Sequence, residues 1–224
     1  MALTNFRAGG IPNPPTLWDP QYMRQVIRVL ELYFSQLDSN TPNYAQTYTA
    51  DYFYGSGIHL TFPYGQFTSL SNQTAANTYT AYALTYSQSD FNDGVTWSNT
   101  NPSRLIVPHE GIYKVTYSIQ LRNTTNDVQD FDIWMQKNGS NVAETNSRFS
   151  LPARKSSGSS SHLIAVTSIM VELAASDYVE LLWKVTNTGV NIEHFAAVAA
   201  NPGVTPAIPA TPSAIVQVEF VSLT

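Results

Sequence analysis

The chain has no cysteine in its 224 residues, which excludes disulfides and thiolate-held zinc. Charge is scarce too. Only 12% of residues are Asp, Glu, Lys or Arg, about half the usual share. The net charge is −5, from 11 cationic and 16 anionic side chains. The cations form no stripe, so neither nucleic acid nor an anionic membrane is an expected partner. No run of about 18 apolar residues occurs, and no membrane insertion is expected. The opening MALTNFRAGGIPNPP lacks an apolar core of signal-peptide length. The expectation is assembly in a cytoplasm, with exit by lysis or in a particle. Catalytic signatures are missing as well: no HExxH, GxSxG, P-loop or dinucleotide fingerprint is found. The four histidines, His59, His109, His162 and His194, form no closely spaced pair. Glu193 and His194 are adjacent, and neighbours on a strand point to opposite faces. No enzyme activity and no cofactor are expected.

What the chain does have is aromatic and β-branched residues: 13 Tyr, 10 Phe and 4 Trp, with abundant Thr and Val. Such side chains fit a pleated, half-buried surface. Residues 1–18 read as an extended docking arm, because Gly9-Gly10, Pro12, Pro14 and Pro15 rule out helix and discourage strand pairing. Residues 19–37 read as a helix, with Asp19 as N-cap and Pro20 at the first helical position. Met23, Val26, Leu30, Tyr33 and Leu37 follow the spacing of a coiled-coil seam. A helix this apolar needs a partner surface: it either packs on its own domain or serves oligomerisation or docking. Residues 38–80 read as an aromatic-rich connector, with a short strand at 58–62.

From 81 to 224 the signals are those of an antiparallel sandwich. Tyr113, Val115, Tyr117, Ile119 and Leu121 fall on one face of a strand, with Lys114, Thr116, Ser118, Gln120 and Arg122 on the other. That period of two marks a half-buried strand. Phe131, Ile133 and Met135 alternate with Asp130, Asp132 and Trp134. Asn138-Gly139 then turns a hairpin, and 142–151 pairs back. Further strands are expected at 162–173, at Val179 to Val185, at 192–199 and at the C-terminus, with 201–212 as a proline-rich loop. The total of about eight to ten strands indicates an all-β sandwich or jelly roll.

Two features of this region could bind something. Asp130 and Asp132 share a strand face and are candidate calcium ligands together with loop oxygens. Trp134 lies on that same polar face. An outward Trp there would be a surface contact, for a sugar or a protein; the competing reading is a core position.

The segment Asn101 to Gly139 resembles the C1q/TNF-like jelly roll. Pro108, Gly111 and Tyr113 lead into its long alternating strand, and Lys137-Asn138-Gly139 closes its hairpin. Ser176-Asp177-Tyr178-Val179 resembles the later turn, with serine in place of the usual glycine. The segments Asp130-Phe131-Asp132-Ile133-Trp134 and Asp177 to Trp183 are similar to C1q-like domains of tailed-bacteriophage virion proteins of marine and cyanophage type. That resemblance implies a homotrimer and a virion location. The arm and helix would dock onto other virion proteins, and the jelly roll would act as a fibre, host-attachment or capsid-decoration module. A host-surface glycan or receptor is its expected contact. A free C1q-like lectin binding carbohydrate or protein is the alternative, and a particle-bound glycan depolymerase a more remote one.

Overall fold

The computed structural model describes residues 19–40, 62–98 and 100–223, with side chains from 32 to 40 left aside. It divides into two units, 1–60 and 61–224. The arm at 1–18 and residues 58–61 of the strand expected at 58–62 lie outside the described residues.

In the first unit, α1 spans Pro20–Asn40, three residues beyond the expected end at 37. Its start is as expected: the Asp19 carboxylate accepts a hydrogen bond from the backbone N–H of Gln21 at 2.8 Å, which satisfies one of the free donors of the first turn. Of the proposed seam, Met23 and Leu30 are 41% and 39% exposed and Val26 is half-buried. Tyr33 and Leu37 have side chains outside the described set.

The second unit is an all-β sandwich of two antiparallel sheets, as the strand periodicity implied. In chain order the strands are β1 (Tyr64–Ser69), β2 (Gln73–Thr74), β3 (Tyr82–Ala83), β4 (Gln88–Asp93), β5 (Thr96–Ser98), β6 (Asn101–Ile106), β7 (Gly111–Asn123), β8 (Gln129–Lys137), β9 (Ser140–Asn141), β10 (Ser147–Leu151), β11 (Ser161–Leu173), β12 (Tyr178–Val185), β13 (Val190–Ile192) and β14 (Ala214–Ser222). In the first sheet β7 is central. Along one side it pairs with β11 over its whole length, and its other side is shared by β14 and β13. The sheet continues through β1 to β4, and β2 flanks β13. The second sheet runs β10-β8-β12-β6-β5, with β3 on β12 and β9 on β8.

The sandwich begins near residue 62, not at 81. Ser69 of β1 pairs with Ala214 of the closing strand, and Phe67 is fully buried. The sequence hid this because YGQFTS offers a single large apolar side chain. At the opposite end of β1 Phe62 stacks on Phe220, ring centroids 5.8 Å apart. β4 was also unforeseen. It is a sheet edge, half exposed, and carries no alternation to read.

The core lies between the sheets. Tyr113, Val115, Tyr117, Ile119 and Leu121 of β7 face Phe131, Ile133 and Met135 of β8 and Val179, Leu181, Trp183 and Val185 of β12, all essentially inaccessible to solvent. Trp183 stacks on Phe131 with centroids 5.6 Å apart and meets Tyr82 at 5.3 Å. Each such side chain contributes about 1.5–3 kcal/mol by leaving water. Gly111 sets where β7 begins: its φ is +149°, and a Cβ there would strike the Phe220 ring and the Ser222 carbonyl.

Candidate functional site

The outward face of the second sheet is built on a buried charge. Asp132 lies on β8 between two cross-strand partners, Arg148 on β10 and Lys184 on β12. Directly opposed residues on one face come within side-chain reach. Arg148 grips the Asp132 carboxylate with both arms, Nε to Oδ1 at 2.8 Å and Nη2 to Oδ2 at 3.0 Å. Lys184 Nζ stands 3.9 Å from Oδ2. Asp132 is only 3% exposed. The Arg148 hydrogen bonds hold its carboxyl below the usual range, outweighing the opposite push of burial. The guanidinium is raised in turn by the same pairing.

Trp134 follows two residues along β8, so it emerges on the same face. It is half-buried, and its indole N–H donates to Asn141 Oδ1 at 2.8 Å. Gln136 donates to the same oxygen at 2.8 Å. The indole is thereby fixed in orientation, and the Asn141 amide N–H groups are left for another acceptor.

The hairpin turns at Asn138-Gly139 as expected, with φ of 50° and 80°, the left-handed pair of a tight hairpin turn. Pairing back is not continuous, however. Asn141 opposes Gln136, and the ladder resumes only when Ser147 opposes Ile133. Residues 142–146 bulge outward between them. The Val142 N–H donates to the Met135 carbonyl at 3.0 Å. The Met135 N–H donates to Thr145 Oγ1 at 3.1 Å, and that hydroxyl donates to the Val142 carbonyl at 2.8 Å. Glu144 at the crest has φ +63°, a conformation that costs a residue with a side chain about 1–2 kcal/mol. Nothing in the sequence reading marked this bulge.

The bulge raises a rim, so the sheet face becomes an open depression of about 330 Å³. Trp134 and Val142 supply its apolar wall; Asn141, Glu144, Asn146 and Lys184 supply polar groups around it. With Asp132 and Arg148 included, two carboxylates and two cations balance in charge. The depression offers one fixed aromatic face surrounded by amide, carboxylate and guanidinium groups.

Both candidate calcium ligands, Asp130 and Asp132, have partners within the protein. Asp132 is committed to Arg148 and Lys184, and Asp130 accepts from Ser150 Oγ at 2.6 Å with Arg148 Nη1 4.0 Å away. The protein's own cations stand where a metal would. Among the described residues no cluster of three or more His, Asp or Glu side chains is placed to hold a metal. His162 bonds Glu193 at 2.9 Å, and Arg122 holds the other oxygen of that carboxylate at 2.7 Å. His194 Nδ1 instead meets the Thr211 carbonyl at 2.8 Å.

A second surface was missed by the sequence reading. The inward face of β11 buries Ala165, Val171 and Leu173. Its outward face carries Ile164, Val166 and Met170, exposed by 56%, 55% and 64%. Among the described residues β11 pairs only with β7, as an edge strand. The signal was present in HLIAVTSIMVEL, which is apolar on both faces and so does not alternate as a solvated strand does. Searches against protein-family models and curated proteins find no match for this chain.

Proposed function

We propose that the chain is a virion surface protein of tailed-phage type with a C1q/TNF-like jelly roll. It assembles as a trimer and contacts a neutral, hydroxyl-rich glycan through the Trp134 depression. The observation that carries the contact is the fixed, half-exposed indole inside a ring of planar polar side chains. A sugar ring presents a C–H face that stacks on an indole and hydroxyls that pair with amide and carboxylate groups, and such sites fix orientation with few polar contacts. Self-association is supported by the outward row of β11, on an edge unpaired among the described residues, since exposed apolar rows mark contact surfaces. Three copies would multiply a weak sugar affinity by avidity.

Binding suits the depression better than hydrolysis. A glycosidase needs a carboxyl with a raised pKa as general acid, and Asp132 is lowered by its guanidinium partner. A free lectin would use the same depression, so imaging of particles for this chain separates the two settings. Titration of the full-length protein with host-surface polysaccharide should quench tryptophan fluorescence. Trp134→Ala should weaken binding by about tenfold or more with no change in melting behaviour. Equal affinity in the variant would remove the depression from the reading.

A further inference from the structure

Between β13 and β14 the chain leaves the sandwich and returns as a two-armed finger. Three residue pairs close it, each by reciprocal backbone hydrogen bonds: Phe195 with Thr211 (3.1 and 2.8 Å), Val198 with Ile208 (2.9 and 2.9 Å) and Asn201 with Thr205 (2.9 and 3.0 Å). The pairs recur every three residues. In a β-ladder they would recur every two, whereas three residues per turn is the period of polyproline II. Pro206, Pro209 and Pro212 repeat at the same interval. The proline-rich segment expected to be a loop is therefore half of an ordered ribbon. Its tip turns through Gly203 at φ +78°, and the Val204 N–H bonds the Asn201 carbonyl at 2.9 Å.

Every residue from 195 to 210 is exposed, and none from Phe195 to Ser213 is charged. Phe195, Val198 and Ile208 stand out from the arms, and Val204 at the tip is 73% exposed. The finger leaves the sheet at the end where Ser213 bonds Ser69 at 2.8 Å, opposite the end where Phe62 stacks on Phe220. At its base Phe195 meets the ring of His162, centroids 5.7 Å apart. His162 is also the first outward residue of β11, followed by Ile164, Val166 and Met170. A largely apolar surface thus runs from the β11 edge to the tip of the finger, broken at His162 by the Glu193 carboxylate that His162 and Arg122 share.

We infer that the finger is an assembly element that packs against a second copy of this chain. It would extend the contact made by the outward row of β11, and the inference rests on the self-association proposed above. Continuity with that row selects the occupant. Absence of charge removes any basis for recognising a charged partner. A lipid surface fits poorly, because the N–H groups of Ala196, Ala197, Ala199 and Ala200 make no backbone hydrogen bond among the described residues and unpaired amides are costly in hydrocarbon. A protein partner can cover them.

Those four amides also supply the test. In a lone chain they exchange with deuterium at the rate of open backbone; covered by a neighbour they slow. Hydrogen exchange on the full-length protein should show 196–200 protected by about tenfold or more relative to the Val166→Asp, Met170→Asp variant, whose copies are held apart. Val198→Lys with Ile208→Lys, both exposed and distant from the core, should raise the dissociation constant of the assembly by about tenfold. A trimer in sedimentation with fast exchange at 196–200, and with assembly unmoved by the lysines, would overturn the finger contact and leave the trimer standing. A wild-type chain that sediments as a monomer would overturn both.

Discussion

On the first sheet β11 turns Ile164, Val166 and Met170 to solvent with no polar group between Val166 and Met170 except Ser168. On the second sheet β8 turns Asp130, Asp132 and Trp134 outward, each tied by a hydrogen bond to a neighbour: Ser150, Arg148 and Asn141. Both faces belong to the same sandwich and cover the same core. They differ in what they leave unsatisfied. The β11 face leaves apolar area in water, which only a partner's apolar surface relieves. The Trp134 face satisfies its buried charge internally and leaves an open recess. A sandwich with two sheets can thus give one side to assembly and the other to a small polar ligand without either competing for the same residues.

The largest expected effect comes from breaking the apolar side. Val166→Asp with Met170→Asp places two carboxylates in each copy at the proposed contact, while both side chains point away from the core. Sedimentation should shift from trimer to monomer, with the dissociation constant raised about a hundredfold or more. If the trimer persists, Leu30→Asp in α1 shows whether the Met23, Val26 and Leu30 seam holds it instead.

On the polar side the effect is smaller and depends on pH. The folded Asp132 carboxyl is lowered, so its contribution is complete above the unfolded value of about 3.9 and fades as pH falls through the lower folded value. Asp132→Asn should cost about 1 kcal/mol at neutral pH, because Arg148 is largely solvated. The gap to wild type should close in acid, where wild type is protonated too. A pH-independent gap in chemical denaturation would mean that shape, not charge, is what Asp132 supplies.

The smallest effect lies between the two faces, in the core they share. The Tyr117 hydroxyl is buried with no hydrogen-bond partner among the described residues. Tyr117→Phe removes an unsatisfied group, so the denaturation midpoint should move by less than about 0.5 kcal/mol or rise slightly. A loss of about 2 kcal/mol would reveal a bond to the hydroxyl.

Much of the sandwich was legible because β7, β8 and β12 alternate, and alternation is a local record of one buried face. Tyr113 to Leu121 and Val179 to Val185 are read directly from their spacing. β1 and β4 were not legible: their burial depends on β14 and on each other, and Phe67 alone carries no period. Trp134 could be placed on a polar face from its position beside Asp132. The recess around it could not, because the bulge at 142–146 is fixed by hydrogen bonds from Met135 and Thr145 across strands. Prolines at intervals of three were visible in the finger, but the matching arm from Phe195 to Asn201 shows its role only when paired.

By itself the sequence determined the class: no cysteine, little charge, and side chains in a two-residue period that bury one face of each strand against another. Only the tertiary structure decided where the sandwich begins, which apolar row stays outside, and that Arg148 meets Asp132. The reason is physical. A period is a property of neighbours along the chain, whereas an edge, a bulge and an ion pair are properties of strands brought together from distant parts of it.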